Sequence, residues 1–158
     1  MDSYKLMLFL HITTAIVALG SVFALPFLQG FMQRQGVGPM RLFLKFTLYH
    51  DTVLVLPGAI LVAIFGVGLI FDDVTGYSDD FPMWLGWAIA WFVAIAATDI
   101  FLLRPTTKRA IAALEGVPDN GEYPDAYKPL GMRAQAIAGL MGLSVIGITF
   151  LMVWKPGA

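Results

Sequence analysis

The chain has 158 residues, of which 58% are hydrophobic and 13% charged, and its mean hydropathy is +0.76. Soluble chains carry roughly 25% charged residues, so this chain has too little polar surface to coat a soluble globule. The net charge of −1 argues against nucleic-acid binding. The absence of cysteine excludes disulfides, thiolate metal sites, Fe–S clusters and cysteine nucleophiles. The length predicts one domain over residues 1–158, with lipid as its main solvent.

The first long apolar stretch, residues 6–28, carries one ionisable side chain, His11. About 20 apolar residues cross a ~30 Å hydrocarbon core, and this stretch has no polar stripe, so it predicts a transmembrane span. A cleaved signal peptide is the alternative, because small residues stand near Ser21 and Ala24. The run exceeds the roughly 7–15 apolar residues of a signal peptide, and Lys5 is the one lysine or arginine before it. Both features favour a retained span.

Three more apolar stretches predict spans at residues 46–71, 83–103 and 132–154. Pro57 lies inside the second and should kink it. Arg104-Pro105 should end the third, and residues 106–115 then predict a short amphipathic helix with a glycine stop. The glycine- and proline-rich segment 31–41 predicts a linker. The sequence thus predicts an all-α integral membrane four-helix bundle.

Lysines and arginines are unequally divided between the two ends of the predicted bundle. One end has Lys5 and Lys155, and the other has Arg34, Arg41, Lys45, Arg104, Lys108, Arg109, Lys128 and Arg133. By the positive-inside rule the richer end is cytoplasmic. The sequence therefore predicts a multi-pass protein of the cell inner (plasma) membrane with both termini extracytoplasmic.

Small residues form one stripe on each predicted span. In lipid there is no hydrophobic driving force for helix association, so small residues that allow close approach should mark the contacts between helices. The stripes are Thr14, Ala18 and Ser21; Ala59, Ala63 and Gly66; Gly86, Ala90, Ala94 and Ala97; and Ala138, Gly139 and Gly142. They predict packing within a compact bundle or, with the same residues, dimerisation with another chain.

Ionisable residues inside a membrane are costly and suggest function by default. The intramembrane candidates are His11, His50, Asp51, Asp99 and Arg133. The spans predict that His11 and His50 lie ~16 Å apart in depth. Two axial ligands of one haem lie at nearly one depth, with ring nitrogens roughly 4 Å apart. A haem held by both histidines of one chain is therefore disfavoured.

The polar residues near the cytoplasmic end have a structural interpretation as well as a functional one. These residues are Tyr49, His50 and Asp51. A carboxylate here can pair with a cation, and the side chains can reach lipid headgroups. The available cations are Lys45, Arg104 and Arg133. Asp99 is predicted opposite the small stripe of its span, on the face of Trp84, Trp91 and Ile95. That face is either buried too, or Asp99 reaches the interface.

His11 shares the packing face of the first span and has two interpretations. One is a neutral imidazole that hydrogen-bonds across the bundle to a backbone carbonyl or a threonine. The other is an axial haem ligand, with Met152 at a suitable depth as a weak partner, although a methionine on a membrane helix usually serves packing. The sequence has no nucleophile–base pair, phosphate loop or HExxH motif, so a non-enzyme is favoured.

Several short motifs carry a family resemblance: Leu10-His11-Ile12, Pro57 with Phe65-Gly66, Trp84-Leu85, and Val153 to Pro156. The chain resembles the small bacterial four-helix membrane proteins grouped as a domain of unknown function. It is also distantly similar to HemJ-type protoporphyrinogen oxidases and to the membrane part of CopD copper-resistance proteins. The HemJ resemblance implies a haem and catalytic role for His11. The chain departs from it at Ala88, near an expected lysine, and at Asp99, near an expected histidine.

Two functions from different classes follow. The first is a small non-catalytic accessory subunit or scaffold, in contact with lipid and with other membrane subunits or further copies of itself. A respiratory-type, electron-transport assembly is the predicted setting. The rival is a b-type haem protein with His11 as axial ligand, and a quinone- or porphyrin-linked oxidoreductase is a weaker third hypothesis.

Overall fold

The computed structural model describes residues 3–157, which form four long helices and, within those residues, no strand. Each helix is long and apolar enough to cross a membrane. The predicted all-α fold with four spans is thereby confirmed. The helices are α1 (Ser3–Arg34), α2 (Val37–Ile70), α3 (Met83–Leu114) and α4 (Tyr127–Trp154).

Three of these helices contain a π-helical segment, in which backbone hydrogen bonds join residues five apart. The segments are Ala15–Leu19 in α1, Asp51–Val55 in α2 and Asp99–Leu103 in α3. The last two share a sequence pattern, an aspartate followed six positions later by a proline, at Pro57 and Pro105. Proline has no N–H to donate to the preceding turn, and the widened turn accommodates this loss without ending the helix.

The helix break predicted at Arg104-Pro105 is therefore absent. Helix α3 continues through both residues to Leu114. The amphipathic helix predicted at residues 106–115 is its last part, and its apolar face packs against α2 and α4.

The link between α1 and α2 is shorter than the predicted linker at 31–41. Residues 35 and 36 alone separate the two helices. Gly36 has a φ of 112°, a conformation that favours glycine. Arg41, at the start of α2, donates hydrogen bonds to the carbonyl oxygens of Leu114 and Val117, each at 3.0 Å. These bonds join the start of α2 to the last residue of α3 and to the loop that follows it.

The largest hydrophobic core lies at one end of the bundle, here named the core end. It consists of Val37, Met40, Phe43, Leu44, Ala110, Leu114 and Tyr127. Two glutamines join α1 to α4 near this core. The amide of Gln29 donates to the carbonyl of Gly131 at 3.0 Å, and that of Gln135 donates to the carbonyl of Pro26 at 3.2 Å.

The opposite end, here named the terminal end, holds both described chain ends and the loop between α2 and α3. Ser3 donates a hydrogen bond to Asp72 in that loop at 3.4 Å, and the ammonium of Lys155 lies 5.9 Å from the ring centroid of Tyr77. The main helix contacts at this end run within two pairs, α1 with α2 and α3 with α4. The bundle is thus tightest at the core end.

Labelling of single cysteines tests the predicted orientation. Ser78 lies in the loop at the terminal end, Asn120 lies in the loop at the core end, and both are exposed. In intact cells, Ser78→Cys should react with a membrane-impermeant maleimide, whereas Asn120→Cys should react after permeabilisation. The chain has no native cysteine, so all labelling reports the introduced residue. Reaction of both from the same side would contradict the four-span topology.

Candidate functional site

Two buried aspartates meet where α2 and α3 pack together. Asp51 is 7% exposed and Asp99 is 5% exposed. Each is the first residue of a π-helical segment, and their carboxyl groups lie within hydrogen-bonding reach of each other. We name Asp51, Asp99 and Arg104 the carboxyl cluster.

Arg104 provides the cation of this cluster. Its Nε lies 2.6 Å from Oδ2 of Asp51, and a terminal nitrogen donates to the hydroxyl of Thr52 at 2.5 Å. Among residues 3–157, the other predicted cations, Lys45 and Arg133, form no ion pair with a carboxylate. The pairing predicted for this region therefore involves Arg104.

Several polar atoms at the cluster have no hydrogen-bond partner among the described residues. They are both oxygens of Asp51, Oδ2 of Asp99, Nε of Arg104 and, next to them in the chain, Nδ1 of His50. Nε of Arg104 and Oδ2 of Asp51 form an ion pair without the geometry of a hydrogen bond. Buried polar groups are normally satisfied, and an unsatisfied one costs about 1–3 kcal/mol. The carboxyl cluster thus has unused capacity to accept a hydrogen bond.

The two alternatives for Asp99 are resolved in favour of burial. Its face of α3 is also buried at Trp84, which is 4% exposed, whereas Trp91 is more open. His50 is partly buried, and its ring centroid lies 5.8 Å from that of Phe46.

His11 occupies a separate site, on the face of α1 that packs against α2. Its Nδ1 lies 2.9 Å from the carbonyl oxygen of Val62, and its ring lies against Gly66. Because a carbonyl oxygen can only accept, Nδ1 carries the proton and donates it. In the neutral ring, Nε2 then keeps its lone pair, for which the described residues supply no hydrogen bond.

The contact of His11 with Val62 shows how far His11 lies along the bundle from His50, the other histidine considered as a haem ligand. Val62, its partner, lies twelve residues after His50 on α2, which corresponds to ~18 Å along the helix. One iron cannot bind two nitrogens so far apart. Met152 lies in the half of α4 that packs mainly against α3, whereas His11 packs mainly against α2.

The small-residue stripes have mixed outcomes. Ala18 packs directly against Gly58, a close contact that the sequence analysis did not name on α2. Gly142 lies against Phe23, as expected of a packing face. Ala90 and Ala94 are exposed, so the contact predicted for them within the chain is absent.

Ala90 and Ala94 instead line an open apolar groove on α3 and α4. Its volume is about 710 Å³, and its other lining residues are Met83, Trp84, Trp87, Trp91, Leu151 and Pro156. Neither the carboxyl cluster nor His11 contributes to it. The groove is therefore a third feature, distinct from both polar sites.

Sequence reasoning missed three features of these sites. The proximity of Asp51 to Asp99 was not predicted, although the equal aspartate–proline spacings were a usable signal. The hydrogen bonds of Gln29 and Gln135 between helices were also missed. An amide inside an apolar span was the available signal, because such groups hydrogen-bond across helices.

No curated protein and no solved structure matches the chain. One family model matches residues 5–156, nearly the whole length. Its description as a predicted integral membrane protein agrees with the four apolar helices and with the expected kind of family. The chain belongs to the predicted integral membrane protein family DUF2269.

Proposed function

We propose that the protein is a non-catalytic membrane subunit that binds a transmembrane helix of another chain in the groove on α3 and α4. The observation that supports this function is the groove itself. Tryptophan side chains flank Ala90 and Ala94, and no described helix of this chain covers these alanines. Small residues with larger neighbours provide the close approach on which helix association in lipid depends.

The depth of the groove separates this proposal from an interfacial aromatic belt. Trp87 is 66% exposed and Met83 is 80% exposed, as residues at a membrane surface often are. The groove continues to Ala94, eleven residues beyond Met83, or ~16 Å along α3. That distance reaches about the middle of a ~30 Å hydrocarbon core. A helix partner explains the whole length of the groove, whereas a belt explains only its outer part.

Photo-crosslinking in native membranes tests the proposal. Trp87→Cys, labelled with a benzophenone maleimide, should give one discrete adduct on irradiation, because the label replaces a large exposed side chain of the groove and a partner helix lies within reach. Ile64→Cys is the matched control, since Ile64 lies at a similar distance from the terminal end of α2 and is 57% exposed. Filling the groove with Ala94→Leu should abolish the adduct.

The mass of the adduct identifies the occupant. Twice the chain mass indicates a second copy, and another discrete mass indicates a different subunit. No adduct at Trp87→Cys, or equal adducts at Trp87→Cys and Ile64→Cys, would contradict the proposal.

A b-type haem bound at His11 is the second candidate. The hydrogen bond from Nδ1 to Val62 favours it, because that bond fixes the tautomer whose Nε2 can bind a metal. His11 therefore offers one nitrogen donor of the kind that haem iron binds. Neither His50 nor the half of α4 that holds Met152 lies beside it, so a second axial ligand would come from outside this chain.

Visible spectroscopy of the purified protein separates the two candidates. For the subunit, we expect no Soret band, and His11→Ala should cost ~1–2 kcal/mol of stability through its lost hydrogen bond. For a haem protein, His11→Ala should remove the Soret band or shift it through a change of spin state. His50→Ala should leave the spectrum unchanged in either case. A Soret band lost through His50→Ala alone would overturn the assignment of His11.

A further inference from the structure

We propose that Asp51 and Asp99 share one exchangeable proton and so form a proton-binding site inside the membrane. This site is separate from the groove and does not depend on the proposed subunit function. Its ligand is a proton, and the groups that hold it are the two carboxyls of the carboxyl cluster.

Charge balance is the first support. Two ionised carboxylates beside the single cation of Arg104 would give the buried cluster a net charge of −1. An uncompensated buried charge is strongly unfavourable. One proton shared between Asp51 and Asp99 makes the cluster neutral, and two carboxyls in contact cannot readily both ionise.

The hydrogen bonds are the second support. Oδ2 of Asp99 and Oδ1 of Asp51 have no donor among the described residues, although both residues are more than nine-tenths buried. The ion pair from Arg104 Nε goes to the other oxygen of Asp51, Oδ2. A proton on one carboxyl creates the missing donor, and the other carboxyl accepts it.

The backbone hydrogen bonds of the two π-helical segments are the third observation that supports the shared proton. Each aspartate accepts, through its carbonyl, the backbone N–H five residues later, from Leu56 on α2 and from Arg104 on α3. Helix α3 therefore presents Asp99 and Arg104 on consecutive turns, and both reach Asp51. The same aspartate–proline spacing accompanies the same backbone hydrogen bond on both helices.

Among residues 3–157, His50 is the one other titratable side chain at the cluster. Between Leu6 and Gln33, α1 has His11 alone, which lies at the level of Val62, and α4 has no titratable side chain from Ala134 to Trp154. A protonated His50 could balance the second carboxylate without a shared proton. The test therefore includes a His50 variant.

Infrared spectroscopy of the full chain in vesicles of ether-linked phosphatidylcholine, which has no ester carbonyl to mask a carboxylic-acid band, tests the proposal. At neutral pH exposed carboxyls are ionised, so the carbonyl stretch of a protonated carboxylic acid should report the buried site alone. We expect one such band, shifted in D₂O and retained in His50→Gln. The exposed Asp79→Asn is the matched control and should also retain it.

Variants distinguish a shared proton from two independent acids. Asp99→Asn should lose the band entirely, because Asp51 then ionises beside Arg104. Asp51→Asn should lose it as well, because Asp99 becomes the counterion. If the band persists in Asp99→Asn or in Asp51→Asn, or is lost in His50→Gln, the proposal of a shared proton is wrong.

The wild-type chain provides a measurement that does not depend on the folding of any variant. Its band should persist at neutral pH and disappear on alkaline titration while the helical circular dichroism is unchanged. If the folded wild-type protein shows no such band at neutral pH, the proposed site is excluded. Either a bound metal cation or His50 would then balance the charge of the second carboxylate.

Discussion

Gly58→Ala is expected to destabilise the folded protein by about 1–3 kcal/mol, the usual cost of overpacking a close contact. A Cβ at position 58 would overlap the methyl group of Ala18 across the α1–α2 contact. The methyl group of Ala18 cannot rotate away, so a helix must move. Ala18 lies within the π-helical segment of α1, which the displacement would also disturb.

Unfolding in mixed detergent micelles, followed by circular dichroism, measures this effect. Gly20→Ala is the matched control, because a Cβ at Gly20 meets nothing within 4 Å. Alanine is the better helix former by about 1 kcal/mol, so the control should be neutral or stabilising. The same unfolding midpoint for both variants would show that the Ala18–Gly58 contact does not limit packing.

The contact at Gly58 shows what the sequence could predict about packing. Hydropathy was sufficient for the four spans, and Ala18 was placed on the packing face of α1. On α2 the small-residue criterion selected Ala59, Ala63 and Gly66. Gly66 does lie against His11, whereas the buried positions of that part of the helix are Gly58 and Val62. Val62 contributes its backbone carbonyl to His11, and a criterion based on side-chain size cannot detect that contribution.

The carboxyl cluster was predicted only in part. The sequence analysis named Arg104 among the cations that can pair with Asp51, but it did not bring Asp99 to the same place, and it ended the helix at Pro105. In the structure, a π-helical segment lets α3 continue through Pro105. Helix α3 thus presents Arg104 to Asp51. Local propensity rules treat proline as a helix stop, and tertiary packing decides otherwise here.

Arg104→Met is expected to destabilise the protein by about 3–5 kcal/mol, the largest effect predicted for any single substitution here. Methionine keeps the length and packing of the side chain but removes the cation that lies 2.6 Å from Asp51. The loss leaves a carboxylate buried without compensation. Arg133→Met is the matched control. Arg133 is exposed on α4 and forms no ion pair among the described residues, so its replacement should change the free energy of unfolding little.

The cause of the Arg104→Met effect can be separated from lost packing by two further measurements. Asp51→Asn combined with Arg104→Met should recover much of the stability, because the double variant removes the stranded charge while the introduced amide conserves the shape of the side chain. The loss in Arg104→Met alone should also shrink as the pH falls, because protonation of the carboxyls removes the same charge. If the double variant is no more stable than Arg104→Met, and the deficit is independent of pH, then Arg104 stabilises the bundle through packing rather than through its charge.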